Sequence, residues 1–434
     1  MTRPPLGPRG IGGNSGVSTY MTGMLSAVEA DRRSRGIAGP ATQGGRVGVT
    51  RLVLTDFRNY RSARLDFDPG LEFGPVVLTG PNGAGKTNLL EAMSFLSPGR
   101  GLRNARLSDI DRRVGAASLG DEGPVGMPAA GWAVAATLRT RRGPVAIGTG
   151  RIGAEGERRT VRIDSEPAKT QAALAERLGV LWLTPQMDRL FIEGPSGRRR
   201  LMDRLVLGLD PAHAARVARY EQALRERSRL LRDGSPDPAW LGALEELMAA
   251  EGVAVAAARR DTVERLDRVC AAAEGAFPRA RLSLLGTLEA WLETMPALAA
   301  EERFRASLAD NRRSDGLSGG TGLGPHRSDL AVFHAEKGVA AEAASTGEQK
   351  ALLIAILLAQ AGLQRRVRGE PPLLLLDEVA AHLDRVRRAA LFEILAGLES
   401  QTWITGTDAA LFTPLSGAAR FLTVADGALS PTIF

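Results

Sequence analysis

Gly80-Pro81-Asn82-Gly83-Ala84-Gly85-Lys86-Thr87 fits the phosphate-loop pattern G-x-x-x-x-G-K-[ST] at every fixed position. Just before it, Pro75-Val76-Val77-Leu78-Thr79 is a short apolar run rich in β-branched residues. Just after it, Asn88 to Leu96 carries helical periodicity. A strand, a glycine-rich loop and a helix in that order are what phosphate binding needs. Glycines let backbone N–H groups converge on phosphate oxygens, and the helix N-terminus adds partial positive charge. In such a loop Lys86 reaches the β- and γ-phosphates and the Thr87 hydroxyl ligates Mg²⁺. The stretch therefore predicts a nucleoside triphosphate site within an α/β fold.

A second stretch supplies what the loop lacks. Leu373-Leu374-Leu375-Leu376-Asp377-Glu378 reads as a buried parallel strand ending in two carboxylates, a Walker B element. An aspartate at the end of such a strand, beside a phosphate loop, holds Mg²⁺ through water, which assigns Asp377. Its neighbour Glu378 is placed to orient or deprotonate the attacking water. Glu378 and Lys86 are thus the candidate catalytic residues.

Between the two, Ser345-Thr346-Gly347-Glu348 satisfies the capping-box pattern at the head of an apolar helix, Ala351 to Leu363. Followed by Gln349, the same stretch resembles the S-G-G-Q signature of ABC-type ATPases with two changes. In that superfamily the signature caps a helix whose N-terminus faces the γ-phosphate bound to an opposite subunit. The resemblance makes Ser345, Gly347 and Gln349 candidate nucleotide ligands in trans. Leu317-Ser318-Gly319-Gly320 matches the signature's opening letters better, but Thr321-Gly322-Leu323-Gly324-Pro325 follows and no helix can start there. Arg312 to Gly324 is expected to be a loop. Ala380 to Asp384 stands where the superfamily has its D-loop, which puts Asp384 near a dimer interface, and His382 reads as a partly exposed loop histidine. Thr405-Gly406-Thr407 ends the next strand where transporters usually place a switch histidine, so γ-phosphate sensing is either weaker or done by threonine hydroxyls.

Composition narrows the classes. At 434 residues the chain is long enough for two or three compact units, and 44% hydrophobic content supports a packed core. The single cysteine, Cys270, excludes an internal disulfide and a cysteine-rich zinc site, which suits a reducing cytosol. His213, His326, His334 and His382 are too scattered for a histidine-rich metal site. No uninterrupted apolar run is long enough to span a bilayer, so no membrane role is expected. The net charge is +7 and the pI about 10.2, yet only four of the 56 basic residues are lysine. Such arginine bias alongside much Ala and Gly is what a GC-rich genome produces. The charge is compatible with a polyanionic partner and proves none.

In order along the chain, residues 1–46 are rich in Gly, Pro, Ser and Arg and lack a signal-peptide core; they read as a disordered tail or an over-called start, with Met21 and Met24 as alternative starts. Residues 47–190 form the N-terminal part of the ATPase head, with strands at Val49–Phe57, Ala63–Phe67, Trp132–Leu138, Val145–Thr149, Arg159–Asp164 and Val180–Pro185. Arg58 and Arg61, at the first hairpin, either touch phosphate or are solvated. Residues 191–310 are a helical arm, with antiparallel helices near Pro211–Leu231 and Ala239–Ala273 joined by a turn at Asp233–Pro238. Helices of that size reach about 30 to 50 Å. The dense run Arg198, Arg199, Arg200 and Arg204 is either a DNA contact or a solvated helical face. Residues 311–434 complete the head.

Taken together the sequence resembles the RecF family of bacterial recombination-repair ATPases, relatives of SMC-type heads. The matching residues are Leu54 to Tyr60, Gly80 to Asn88, Gly324-Pro325-His326-Arg327-Ser328-Asp329-Leu330, Ser345 to Lys350 and Leu376 to Asp384. Phe57-Arg58-Asn59-Tyr60 and Gly324-Pro325-His326-Arg327 belong to this family rather than to ATPases at large. The resemblance implies an ABC/SMC-type P-loop ATPase head, a mixed sheet with flanking helices, carrying an inserted, mainly helical arm. It implies ATP with Mg²⁺, an ATP-dependent homodimer, and slow DNA-stimulated hydrolysis. It also implies binding to double-stranded DNA at gaps and single/double-strand junctions, and partnership with RecR, and indirectly RecO and RecA, in RecA loading and SOS induction at the cytoplasmic nucleoid. It adds Asn88 and Arg58 to the nucleotide site and Gln186, as a Q-loop residue, to the metal. Departures are the N-terminal extension and Ser328, where the family usually has Asp. An ABC transporter subunit is the alternative, against which stand the long spacing from loop to signature and the missing switch histidine. A non-hydrolysing SMC-type adaptor is the other.

Overall fold

The computed structural model describes residues 45–68, 72–112, 131–152, 158–234 and 237–432; the expected N-terminal tail, with Met21 and Met24, lies outside them save for residues 45 and 46. In chain order the elements are β1 (Gly48–Phe57), β2 (Tyr60–Asp66), β3 (Pro75–Thr79), α1 (Lys86–Ser94), β4 (Gly131–Thr140), β5 (Gly143–Ile152), β6 (Thr160–Ile163), β7 (Glu166–Pro167), α2 (Ala173–Arg177) and β8 (Val180–Leu183). There follow α3 (Pro195–Leu209), α4 (His213–Arg232), α5 (Pro238–Ala271), β9 (Ala280–Leu285), α6 (Thr287–Thr294), α7 (Ala297–Asp310) and α8 (Arg312–Ser318). The chain ends with β10 (Asp329–His334), β11 (Val339–Ala340), α9 (Thr346–Arg368), β12 (Leu373–Leu376), α10 (Arg385–Gly397), β13 (Thr402–Gly406), β14 (Arg420–Ala425) and β15 (Ala428–Pro431).

The short apolar strands make the central sheet, ordered β15-β14-β3-β13-β12-β8, parallel except for the β14–β15 hairpin. Every residue of β3, β8, β12 and β13 is buried, as a parallel sheet covered on both faces requires. Leu374 and Leu376 pack into one core with α9, and Leu373 and Leu375 into another with α1. Helix α9 is apolar all round because the sheet, α3 and the end of α5 surround it.

The alternating strands go elsewhere. They form a second, antiparallel sheet, β2-β1-β4-β5-β6-β7, with one solvated face. Strand β4 buries Trp132, Val134, Ala136 and Leu138 and exposes Ala133, Ala135 and Arg139. Trp132 meets Phe57 edge-on at 5.4 Å and Phe95 at 4.9 Å, which seats this sheet on the far end of α1.

In the arm, α4 and α5 pack antiparallel close to their expected limits, with α7 and α8 against them. Two expectations are corrected. The stretch read as helical up to residue 310 contains β9, which pairs antiparallel with β10 from Ala280↔His334 to Asp329↔Leu285. Its Ala280-Arg281-Leu282-Ser283 alternation has strand period, and the pairing joins residues on either side of the expected division at 310/311. The stretch expected as a loop from Arg312 begins with α8, which stops at Gly319 in the left-handed region (φ 73°). Leu317 to Gly320 is thus a helix C-terminus. Arg227 anchors α8 through Asp315, a long-range bond that local propensity cannot register.

That arginine is fully buried. It pairs with Glu245 at 3.0 Å and Asp315 at 2.7 Å, and donates to Thr321 Oγ1 and the Leu308 carbonyl. Arg312 adds a 2.6 Å bond to Glu245. Replacing Arg227 by Met should therefore leave two buried carboxylates short of a partner and destabilise the arm by about 3–5 kcal/mol. Removing Arg219, half-exposed beside Glu251, should cost under about 1 kcal/mol. Amide exchange in α4 and α5 under native conditions reads both, and equal effects would refute this ranking.

Candidate functional site

The phosphate loop leaves the end of β3 and enters α1 under tight backbone constraint. Gly80 has φ 146°, and a Cβ there would lie 2.2 Å from the Val424 carbonyl oxygen. Gly85 has φ 116°, and a Cβ would lie 2.5 Å from Asn59 Nδ2 and 2.9 Å from the Tyr60 hydroxyl. Both positions demand glycine. The first hairpin is the reason at Gly85: Tyr60 OH donates to the Gly85 carbonyl (2.9 Å), Asn59 Nδ2 to the Ala84 carbonyl (3.0 Å), and Asn88 Nδ2 to Asn59 Oδ1 (2.8 Å). Burial pushes the Tyr60 hydroxyl pKa up, so it remains a donor.

Arg58 takes neither role expected of it. Its guanidinium grips buried Glu91 of α1 bidentately (2.9 and 2.8 Å) and donates to the Asp109 carbonyl (2.7 Å). Arg103 shares Glu91 Oε2 at 2.6 Å and also donates to Asn88 Oδ1. Arg58 thus fixes the phosphate helix instead of pointing at phosphate or solvent. Arg61 is exposed on β2.

Lys86 arches back over the loop, donating to the carbonyls of Gly80 (2.7 Å) and Pro81 (2.9 Å). Burial lowers its pKa, while Glu378 and Asp377 act in the opposite sense. Thr87 Oγ1 donates to Asp377 at 2.9 and 3.1 Å. A hydroxyl and a carboxylate in contact are hard oxygen donors that fit Mg²⁺, which keeps several waters and takes few protein ligands. Among the described residues no cluster of three or more His, Cys, Asp or Glu able to hold a metal occurs. Strand β13, between β3 and β12, contributes a threonine that the sequence offered only as a candidate γ-phosphate sensor. Thr405 Oγ1 donates to Asp377 Oδ1 (2.7 Å) and accepts from the Glu378 N–H (2.8 Å). Glu378 sits at φ 52°, a left-handed conformation that costs a non-glycine residue about 1–3 kcal/mol. The Thr405 bond holds it there. The signal was present in Thr405-Gly406-Thr407, at the end of the strand that becomes the neighbour of β12.

The signature stretch stands apart. Ser345 caps α9 with a complete capping box, Glu348 N–H to Ser345 Oγ (3.4 Å) and Ser345 N–H to Glu348 Oε2 (3.1 Å). Ser345, Thr346 and Gly347 are exposed, and no hydrogen bond or ion pair joins them to the phosphate loop of the same chain. Gln349 is a correction: it is 1% exposed and its Nε2 donates back to the Ala344 carbonyl, so it braces the turn from beneath. Gln186 stands exposed in the turn after β8, with no hydrogen bond to Thr87 or Asp377. Two residues on, Asp188 pairs with Lys350 of α9 at 3.1 Å. Asp384 is exposed and caps α10 through the Arg387 N–H.

The basic run on α3 is divided, because successive residues of a helix point about 100° apart. Arg198 binds Asp329 bidentately at 2.8 Å and three carbonyls. Arg199 donates to the Ser328 carbonyl, and Arg204 stacks 3.9 Å above the centre of Trp182. Of the four, Arg200 alone is exposed. Arg198 therefore serves the fold and Arg200 faces solvent, so the run forms neither one DNA contact nor one solvated face. Gly324 to Ser328 bolts the arm to β10: His326 bonds the Tyr220 hydroxyl and the Thr321 carbonyl, and Ser328 Oγ donates to Glu289.

Three comparisons bear on this geometry. The family described as RecF/RecN/SMC N terminal domain matches residues 48–427. The DNA replication and repair protein RecF of Mesorhizobium japonicum is 50% identical over 389 residues, spanning 88% of this chain and 98% of that one. Its namesake in Rhizobium meliloti is 48% identical over 388 residues, spanning 89% and 99%. Among solved structures, the recombination mediator protein RecF with ATPrS aligns with a TM-score of 0.75 at 21% identity, over 90% of this chain and all of that one, so the two share a fold.

The Thr405 geometry makes a separable prediction. Thr405→Val should lower nucleotide hydrolysis about 10- to 100-fold while nucleotide affinity stays within a few-fold, because an outer-sphere bond is lost and the loop is untouched. Thr405→Ser should retain activity. Single-turnover hydrolysis beside equilibrium binding of a fluorescent ATP separates the two effects.

Proposed function

This chain belongs to the RecF family, and from that premise we propose that it is an ATP-gated, DNA-binding ATPase of replication and recombinational repair. One observation carries the reading. Lys86, Thr87, Asp377 and Glu378 converge in one head, while the exposed Ser345–Gly347 turn is bonded to nothing in its own loop. A helix N-terminus presented that way suits the γ-phosphate of a second copy. In this scheme two heads close over two nucleotides, Ser345 and Gly347 of each completing the site of the other, and Asp384 lies at the seam. Bound Mg²⁺ would neutralise phosphate charge beside Thr87 and Asp377. Glu378, held by Thr405, orients the attacking water and accepts its proton. Closure presents DNA-contacting surfaces together, at gapped or single/double-strand junction DNA, and hydrolysis reopens the dimer. RecR, and through it RecO and RecA, are the partners such a role calls for, with RecA loading and SOS induction downstream. Among the described residues no helix is long and apolar enough to cross a membrane.

Sedimentation with ATP, Mg²⁺ and gapped DNA tests this. The wild-type chain should dimerise and return to monomer as ATP is consumed, whereas Glu378→Gln should remain dimeric. A chain that stays monomeric throughout refutes the mechanism. A stable wild-type dimer that never turns over ATP would leave the adaptor reading in its place.

A further inference from the structure

Beside the Gln186 turn, a cleft of about 1190 Å³ lies between the head and the arm, bounded by the loop after α1, by β8, and by α3 and α4. Its charges do not balance. Of the carboxylates lining it, Asp203 is held by Arg259 and His213, Glu193 faces Arg189, and Glu221 faces Arg225. Of the arginines, Arg103 is held by Glu91 and Arg219 by Glu251. Arg100, Arg200 and Arg204 also line the cleft, and among the described residues none of the three has a carboxylate partner.

Arg204 is the least satisfied of them. Its guanidinium lies on the face of Trp182, Nη2 reaches only the Met187 sulfur at 3.7 Å, and the buried Nε has no acceptor. Burial, and the nearby Arg200 charge, lower its pKa, yet a guanidinium stays protonated at neutral pH. A desolvated cation without a counter-charge is costly until an anion completes it.

We propose that this cleft holds a segment of single-stranded nucleic acid, with Arg100, Arg200 and Arg204 as contacts for successive phosphates. The inference rests on the DNA-binding reading above and adds to it a place and a strand type. Planar forks match phosphate oxygens, and the half-buried apolar side chains of Met187, Leu207 and Val217 offer a surface to an unstacked base, which a duplex keeps inside. Repeated cations beside such a surface suit a strand better than an acidic protein segment. The position also matters. Gln186 and Met187 line the cleft, and Asp188 of the same turn pairs with Lys350 on the signature helix. A strand seated there touches the turn that joins the head to α9.

The test compares the full chain with its Arg100→Gln/Arg200→Gln variant, two exposed positions outside the core. Anisotropy with labelled oligothymidylate, and with a blunt duplex of equal length, is followed over a salt series. Single-strand affinity should fall about tenfold or more, and the log–log salt slope should become shallower by about 1.4, at roughly 0.7 per phosphate contact. Duplex binding should change little, and Arg100→Lys/Arg200→Lys should keep the wild-type slope. Unchanged single-strand affinity and slope would overturn the assignment and leave the cleft to an acidic protein segment. Equal losses on strand and duplex would overturn it in favour of a general electrostatic surface. A wild-type chain that binds neither DNA would instead defeat the DNA-binding reading itself.

Discussion

One threonine hydroxyl ties the strand beside the phosphate-loop strand to the carboxylates on which the site depends. Strand β13 separates the phosphate-loop strand from the strand bearing Asp377, so the loop and the carboxylates cannot meet by pairing. Thr405 closes the gap, donating to Asp377 and accepting from the Glu378 backbone, while Thr87 reaches the same carboxylate from α1. The proposed metal ligands and the proposed general base are therefore set by one hydrogen-bonded unit. Its rigidity comes from a sheet buried on both faces, where unsatisfied polar groups are not tolerated.

Around that unit the molecule is fastened by arginine. Arg58 and Arg103 clasp Glu91, tying the antiparallel sheet and the loop after α1 to the phosphate helix. Arg198 and Arg259 tie α3 to β10 and α5, and Arg227 gathers the arm. Each uses the planar fork bidentately or on several partners, which a lysine ammonium cannot reproduce. The arginine excess that composition alone could not interpret therefore has, at these positions, a structural use.

What could be read from the sequence was whatever is local. The phosphate loop, the apolar strand ending in Asp377-Glu378, the capped α9 and the α4–α5 pair all follow from spacing and caps within a few residues. What could not be read depends on distant partners. Thr405 gains its role from β12, paired only in the folded sheet; Gln349 turns inward because Ala344 offers a carbonyl there; Arg58 is diverted by Glu91, 33 residues away. Helix α8 exists because of a buried ion pair, and β9 because β10 returns to it. The α3 arginines looked like one patch because adjacency in sequence was taken for adjacency in space.

The left-handed backbone at Glu378 sets a conflict between durability and chemistry. Of the twenty residues, glycine relieves that conformation most, by about 1 kcal/mol or more, and asparagine follows. A screen that rewards thermal tolerance alone would drift toward those residues at 378 and discard the carboxylate proposed to orient water. Stabilising this protein for practical use therefore means holding position 378 fixed and seeking gains elsewhere.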